Sequence, residues 1–352
     1  MDRLKLLDAG LQAFDVNLPD VVAPLCVATR YRASTCRRCL DVCPGKAIAT
    51  QPWLEIDPGR CTSCGACAVA CRTGALTFGA QAGLLRERLR LAANGGAARV
   101  RVACRRTALG ESEADQRSHA VLAVRCLGGV SAGDLVAAAA LGFRTVELVD
   151  GGCNACPDGL AGAAADGVVD AARDALEAVG TSLLLTRIVD AVDGERPWPI
   201  DKAIGGDATL SRRGLFAYVA HGLRRTAAGA ATPEKPSIQD LHAQAPPPAA
   251  RTRLLVDLTA LAARAQVADA SLPTTLPFAR VNASAACDGC GLCLRYCPHD
   301  ALAPAVGRVA CDQGRCSGCG LCAESCPREA LTLAGGTVPA GLATTTTPAL
   351  RT

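Results

Sequence analysis

The sequence predicts a multidomain protein with α/β and α+β parts, in which two cysteine-rich modules flank a small α/β domain with a parallel sheet. Two observations support this fold class. A short cysteine-rich unit occurs four times, in one pair near each end of the chain. Between the pairs, short β-branched runs alternate with small-residue helical runs, which is typical of βα units.

Composition and repeats divide the chain into five predicted segments. They are an N-terminal module with a helical leader (1–80), the α/β domain (81–195), an Ala- and Pro-rich connector (196–279), a C-terminal module (280–336) and a disordered tail (337–352). We expect the connector to act as a linker that keeps the two cysteine-rich modules apart.

Cysteine is the unusual component of this sequence. The 352-residue chain has 21 cysteines but only 3% aromatic residues. Its N-terminus is too polar for a secretory signal, and no apolar run approaches the roughly 18 residues that a membrane-spanning helix needs. We therefore expect a cytoplasmic protein without a membrane span. In a reducing compartment, many cysteines indicate metal binding or redox chemistry rather than structural disulfides.

Three of the four units have the uninterrupted spacing C-x2-C-x2-C-x3-C. Their cysteines are Cys61, Cys64, Cys67 and Cys71; Cys287, Cys290, Cys293 and Cys297; and Cys316, Cys319, Cys322 and Cys326. Closely spaced thiolates can bind one face of a cuboidal iron–sulfur cluster from a tight loop, while the fourth reaches a neighbouring cluster. Zinc sites, the main alternative, normally use two separated C-x2-C pairs. The spacing therefore predicts [4Fe-4S] clusters.

The first unit departs from this pattern. Cys36, Cys39 and Cys43 match its last three cysteines, but Ala33 occupies the place of the first. The second unit departs in a different way, because Arg72 follows its fourth cysteine where the other three units have proline. The first unit thus needs a ligand from elsewhere in the chain.

Both ends of the chain resemble bacterial-type ferredoxin domains that hold two [4Fe-4S] clusters each, over residues 26–80 and 280–335. The resemblance implies crosswise ligation, in which the fourth cysteine of one unit binds the cluster of the other unit. The implied sets are Cys61, Cys64, Cys67 and Cys43; Cys287, Cys290, Cys293 and Cys326; and Cys316, Cys319, Cys322 and Cys297.

Crosswise ligation leaves Cys36, Cys39 and Cys71 without a fourth partner. The nearby unassigned cysteine is Cys26, which is separated from Cys36 by the segment VATRYRAST. A loop of this length closes at modest entropic cost, so we expect Cys26 to complete the set. Two alternatives remain: a three-iron cluster on three cysteines, or an oxygen ligand with Cys26 merely buried.

The charge balance excludes one class of partner. The formal net charge of +4 treats every cysteine as neutral. A [4Fe-4S] cluster with four thiolates carries about −2 when oxidised, so several clusters would make the protein acidic. We therefore expect no nucleic-acid partner. The chain also lacks a G-x-G-x-x-G fingerprint and a Gly-rich phosphate loop, so dinucleotide or ATP binding is not predicted.

Four further cysteines belong to the α/β domain: Cys104, Cys126, Cys153 and Cys156. Each follows a predicted strand, and the carboxyl ends of parallel strands lie at one edge of a sheet, where ligands bind. We therefore expect the four sulfurs to converge on one site. Alternatively, Cys153 and Cys156 form a C-x-x-C dithiol pair, or all four are ordinary buried cysteines.

The motifs VACRR, VRCLGGVSAGDLVAAAALGFRTVELV and GGCNACPDG, within residues 97–160, resemble the delta subunit of methyl-viologen-reducing hydrogenase. That small iron–sulfur protein passes electrons to heterodisulfide reductase. The resemblance implies a [2Fe-2S] cluster on the four cysteines of the α/β domain, although Cys153 and Cys156 are more closely spaced than in that family. Cys311 is surplus to every set and is expected to be structural.

Together these features predict an iron–sulfur electron-transfer protein with four [4Fe-4S] clusters and one [2Fe-2S] cluster. It would relay single electrons to or from a partner oxidoreductase of the hydrogenase, reductase or dehydrogenase type, as a subunit or carrier rather than an independent catalyst. One alternative is a maturation protein, because LSRRGLF (210–216) is similar to a segment of ferredoxins associated with periplasmic nitrate reductase maturation. Another is a dithiol reductase that uses Cys153 and Cys156.

Overall fold

The computed structural model describes residues 18–78, 84–104, 106–107, 119–190, 244–306 and 308–338. Most of the predicted helical leader, the LSRRGLF segment and the predicted tail beyond residue 338 lie outside these residues. The described part combines a four-stranded parallel sheet with two small modules near the ends of the chain. The prediction of a mixed α/β protein with a parallel sheet is therefore confirmed.

The N-terminal module is built from very short elements joined by loops. Its strands are β1 (Asp20–Val21), β2 (Ile48–Ala49), β3 (Glu55–Ile56) and β4 (Leu76–Thr77). Its helices are α1 (Val27–Arg30), α2 (Arg38–Asp41) and α3 (Ala66–Ala70). Strand β1 pairs with β4 and β2 with β3, both antiparallel. Cys26 and Cys67 share the buried core of this module with leucine side chains, so thiols form part of its interior.

The α/β domain is organised around a parallel sheet with the strand order β6-β5-β7-β8. The strands are β5 (Arg99–Cys104), β6 (Ala120–Val124), β7 (Thr145–Asp150) and β8 (Leu184–Val189). Neighbouring side chains of a strand point to opposite faces, and Val102 and Ala103 are both buried. Strand β5 is therefore covered on both faces, as is typical of parallel sheets.

Four helices contribute to the core of the α/β domain. They are α4 (Leu84–Asn94), α5 (Ala132–Ala140), α6 (Gly159–Ala178) and α7 (Ala249–Arg264). A capping box of Ser131 and Asp134 begins α5, which satisfies two backbone N–H groups at that helix end. In the part of the chain that the structure describes, no helix is long and apolar enough to cross a membrane.

Helix α7 corrects the prediction that the connector is a linker. It lies within residues 196–279, yet Leu254, Leu258 and Leu261 are buried in the core of the α/β domain. Their spacing of four and three residues places them on one face of a helix, which explains why this stretch packs instead of remaining extended. This part of the predicted connector therefore belongs to the folded α/β domain.

The C-terminal module contains three antiparallel strand pairs, β10 with β13, β11 with β12, and β9 with β14. The strands are β9 (Ala270–Ser271), β10 (Ala279–Ala283), β11 (Leu302–Ala305), β12 (Arg308–Cys311), β13 (Leu331–Gly335) and β14 (Thr337–Val338). Its helices are α8 (Leu292–Tyr296) and α9 (Leu321–Glu324). Ala270 and Val338 belong to the core of the α/β domain, so this module is anchored to it.

The two cysteine-rich modules touch each other directly. Glu324 accepts hydrogen bonds from the hydroxyls of Ser34 and Thr35, at 2.7 and 2.8 Å. The rings of Tyr31 and Tyr296 meet edge to face with their centroids 5.5 Å apart. The expectation that a linker keeps the modules apart is therefore wrong, because side chains of the two modules form hydrogen bonds and a ring contact with each other.

Candidate metal centres

The three uninterrupted units share one backbone geometry at the start of their helices. Gly65, Gly291 and Gly320 precede α3, α8 and α9, with φ angles of 91°, 74° and 89°. Glycine adopts this left-handed conformation without a steric penalty. In the incomplete first unit, Arg37 precedes α2 with a φ of −124°, so that loop follows a different path.

A backbone N–H group supports the fourth cysteine in three units. The donors lie four residues after the sulfur: Ala47 to Cys43 at 3.3 Å, Ala301 to Cys297 at 3.3 Å, and Ala330 to Cys326 at 3.4 Å. Such donors stabilise thiolate charge and raise the potential of a bound cluster. Cys71 differs, because its neighbour is the Thr73 hydroxyl, 3.7 Å from the sulfur. The unit that carries Arg72 thus also has a different hydrogen-bond environment.

Cys26 lies with the three cysteines that lacked a partner. Cys26, Cys36, Cys39 and Cys71 line one cavity of the N-terminal module. Burial raises the pKa of Cys39 to about 12, and negative charge at Cys71, Cys26 and Cys36 adds to the effect. Cys26 itself is only 8% exposed. The structure therefore places the Cys26 sulfur with this set, although nine residues separate Cys26 from Cys36 in the chain.

The second set of the N-terminal module surrounds Cys67. Burial raises the pKa of the Cys67 thiol, and it is raised further by negative charge at Cys64, Cys61, Cys39 and Cys43. Three of these neighbours are the expected companions of Cys67. The fourth, Cys39, belongs to the cavity around Cys26, so the two sets of this module are adjacent.

The C-terminal module has the same crosswise arrangement. Burial raises the pKa of Cys322, followed by the charges of Cys319, Cys316, Cys297 and Cys293. Burial also raises the pKa of Cys293, and negative charge at Cys290 and Cys326 adds to the effect. Each unit therefore receives the fourth cysteine of the other, and Cys293 joins the two sets in the way that Cys39 does in the N-terminal module.

The four cysteines of the α/β domain converge on one cavity at the carboxyl edge of the sheet. Cys104 is the last residue of β5, and Cys126 follows β6. Cys153 begins a 3-10 turn after β7, and Cys156 follows that turn. All four line the cavity, together with residues that include Arg125. This convergence follows from the order β6-β5-β7, which makes three strand ends neighbours.

Glycines shape this cavity. The Gly151 N–H donates to the Cys104 sulfur at 3.2 Å, and the Gly128 N–H donates to the Cys126 sulfur at 3.4 Å. A Cβ on Gly162 of α6 would lie 2.3 Å from the Cys153 sulfur, so only glycine leaves room for that side chain. The site thus has both N–H donors and space for its sulfurs.

Asp150 holds the loop that carries Cys153, a role that sequence reasoning missed. Its carboxylate accepts backbone N–H bonds from Gly152 at 2.9 Å and Cys153 at 3.3 Å. Arg187 of β8 donates to the same carboxylate at 2.8 Å, and Asp150 is 2% exposed. The only available signal was an acidic residue at the end of a buried strand.

Arg251 of α7 fixes the loop that begins the fourth unit. Its guanidinium donates to the carbonyl oxygens of Gln313 at 2.6 Å, Gly314 at 2.7 Å and Cys316 at 3.0 Å. It also lies over the Phe278 ring, 4.7 Å from the centroid. The α/β domain therefore positions a predicted ligand of the C-terminal module.

The cysteines are all free thiols. All 21 of them lie in the described residues. Within the described ranges, no group of three or more His, Cys, Asp or Glu side chains is placed to hold one metal ion. Ligands of a cubane bind different iron atoms, so their sulfurs are farther apart than the ligands of one ion.

Cys311, expected to be structural, hydrogen-bonds through its side chain to Cys316 beside one set.

Comparison with known families supports part of this assignment. Residues 54–77 match the family described as 4Fe-4S binding domain, and residues 286–330 match the one described as 4Fe-4S dicluster domain. The chain therefore carries two ferredoxin-type 4Fe-4S domains. No curated protein and no solved structure matches the chain. The matched segments include neither the incomplete first unit nor the cysteines of the α/β domain.

Proposed function

We propose that this chain is an iron–sulfur electron-transfer protein that relays single electrons to or from a partner oxidoreductase, as a subunit or carrier. The observation that supports this function most directly is that the members of four proposed sets of four cysteines lie close together, as do Cys290, Cys293 and Cys326 of the fifth set. When bound, iron–sulfur clusters supply one-electron couples. Four sets would hold [4Fe-4S] clusters, and the set in the α/β domain would hold a [2Fe-2S] cluster.

The proposed ligands are the thiolates of these sets. They are Cys26, Cys36, Cys39 and Cys71; Cys43, Cys61, Cys64 and Cys67; Cys297, Cys316, Cys319 and Cys322; Cys287, Cys290, Cys293 and Cys326; and Cys104, Cys126, Cys153 and Cys156. Burial and neighbouring sulfurs keep many of these thiols protonated in the metal-free protein, so metal binding must displace their protons.

Neighbouring sets form one continuous series, which supports a relay. Cys293 lies near Cys322 within the C-terminal module. Cys319 of that module lines the cavity around Cys26, so the series continues into the N-terminal module. There, Cys39 links the two N-terminal sets, because its negative charge acts on Cys67.

The cysteine set of the α/β domain would be the terminal site of this series, next to the N-terminal module. Negative charge at Cys64 acts on Cys126, and Arg125 donates to the Thr62 carbonyl at 3.1 Å. The set in the α/β domain therefore follows the set around Cys67. At the opposite end Cys290 is exposed, and Asn154 is exposed beside the α/β site. Both ends are accessible to protein partners.

The chain's own groups set the conditions for electron transfer. N–H donors at the sulfurs, buried arginines and an apolar surround tune the potential of each site. Burial, followed by the charge of Asp150, raises the pKa of Cys153. A dithiol reductase needs an exposed thiol of low pKa, so this environment favours ligation over dithiol chemistry.

Metal content tests the proposed function. Protein purified without oxygen should contain about 16 iron atoms per chain from four cubane clusters, and about 18 with a two-iron centre. Iron and acid-labile sulfide analysis, with EPR after reduction, measures this content. Stoichiometric zinc with little iron and sulfide would contradict the proposal.

A further inference from the structure

Arg72 joins the two cysteine-rich modules. Its guanidinium donates to three backbone carbonyls across the module boundary: Gly318 at 2.8 Å, Thr274 at 2.6 Å and Thr275 at 3.1 Å. Gly318 belongs to the loop between Cys316 and Cys319. A residue of the second unit thus holds a ligand loop of the fourth unit, which lies 246 residues later in the chain.

The same guanidinium lies between two proposed ligand sets. Arg72 lines the cavity that Cys26, Cys36 and Cys39 share with Cys319. Burial, followed by the positive charge of Arg38, lowers the pKa of Arg72 to about 10, while negative charge at Cys319, Cys316 and Cys36 opposes this shift. Arginine remains protonated at neutral pH, so this position holds a fixed positive charge between two sites that bind negatively charged clusters.

We propose that Arg72 is a positioning residue for electron transfer between the two modules. This role rests on the proposed relay function. Its three hydrogen bonds fix the separation of the site around Cys36 from the site around Cys319. Its positive charge favours the reduced, more negative state of a cluster at either site and thereby raises both potentials.

The residue type supports this role. The other three units have proline at this position, and proline has neither a charge nor a side-chain donor. The planar guanidinium provides five N–H donors in a fixed fork, which suits several carbonyls at once. Lysine would keep the charge but lose this geometry. Arginine at this position therefore gives the second unit a side-chain contact with the other module that proline could not make.

The transfer itself balances simply. With clusters bound, one electron would leave the site of one module and enter the site of the other, so that the first would be oxidised by one electron and the second reduced by one. A reduced protein carrier supplies the electron at one end of the series, and the partner oxidoreductase accepts it at the other. Arg72 is neither oxidised nor reduced, and its charge stays constant.

Two variants of the full-length, cluster-loaded protein separate charge from geometry. In R72Q, two of the four cubane clusters should titrate at more negative potentials, while the other two are unchanged. In R72K, the potentials should lie closer to those of the wild type, but the magnetic interaction between the two reduced clusters should weaken because the fork is lost. EPR-monitored redox titration gives both readouts.

Arg86 provides a matched control. It pairs with Asp257 in the α/β domain, and its pKa is influenced by no cysteine. R86Q should titrate like the wild type. Wild-type potentials and magnetic interaction in both Arg72 variants would overturn the role of Arg72, as would an equal shift in R86Q. If R72Q fails to fold, R72K with wild-type magnetic interaction would overturn it. Wild-type protein without iron or sulfide would instead overturn the relay function itself.

Discussion

Gly65 and Gly129 bring the backbone of the N-terminal module against that of the α/β domain. A Cβ atom on Gly65 would lie 2.8 Å from the Cα atom of Gly129, closer than side-chain atoms normally approach. The adjacent Cys64 is the residue whose charge acts on Cys126. Two glycines therefore permit the close approach of two proposed cluster sites that belong to different domains.

Enlarging Gly65 should loosen this contact. Gly65→Ala introduces a clash and also forces alanine to adopt a φ of 91°, so we expect a loss of about 1–3 kcal/mol in the free energy of unfolding. Gly167→Ala is the control, because nothing lies within 4 Å of its Cβ in α6. That control should be neutral or stabilising by about 1 kcal/mol. Denaturant unfolding measures both, and equal effects would argue against a tight contact at Gly65.

Removing the Cys26 thiol should affect one cluster of the N-terminal module. If Cys26 is a ligand, Cys26→Ser should convert or weaken that cluster, with a loss of about one to four iron atoms. The C-terminal clusters should keep their EPR signals. Cys311→Ser is the comparison, because Cys311 contacts Cys316 of the C-terminal module and its loss should leave the N-terminal clusters unchanged. An unchanged iron count and spectrum in Cys26→Ser would make Cys26 a core residue only.

Substitution in the α/β domain should remove one two-iron centre. Cys126→Ser should lower the iron content by about two atoms and leave four cubane signals. The loss should be visible in EPR of the partly reduced protein. If Cys153 and Cys156 instead form a dithiol, Cys126→Ser would leave the iron content unchanged. Mass spectrometry after oxidation would then detect a disulfide between those two residues.

Cluster assembly should depend on pH. Burial, together with nearby charges, raises the pKa of Cys39 and of Cys126 to about 12 each, above the ordinary value of 9.0. Both thiols are therefore protonated at neutral pH, and binding iron must release their protons. Higher pH lowers this cost, so reconstitution should incorporate iron faster at about pH 8.5 than at about pH 6.5. Equal rates measured by absorbance at the two pH values would contradict the expectation.

The same raised pKa values predict how the metal-free protein responds to alkali. A thiol with a higher pKa in the folded state contributes stability that is present below its unfolded pKa of about 9 and is lost as pH rises through its folded value. The metal-free protein should therefore lose stability between about pH 9 and about pH 12. Thermal unfolding followed by circular dichroism, compared between the wild type and Cys126→Ser, measures the contribution of that thiol. The loss should be smaller in the variant.

The sequence by itself determined the cysteine chemistry of the two modules and the cysteine site at the edge of the parallel sheet. Ligand spacing within one loop is a local property, so the uninterrupted units could be recognised from four cysteines and a glycine such as Gly65. The convergence of Cys104 and Cys126 was also predictable, because parallel strands end at a common edge.

Only the tertiary structure decided which sites are neighbours. The contacts of Arg72 with Gly318, and of Glu324 with Thr35, join loops far apart in the chain. Such contacts depend on complementary surfaces and leave no periodic pattern in the sequence. Helix α7 was missed for a related reason. Its Ala-rich composition resembles that of a linker, and only the structure shows that the face around Leu258 is buried in the core of the α/β domain. Local spacing specifies the thiols of the uninterrupted units, whereas packing between domains specifies the order of the sets.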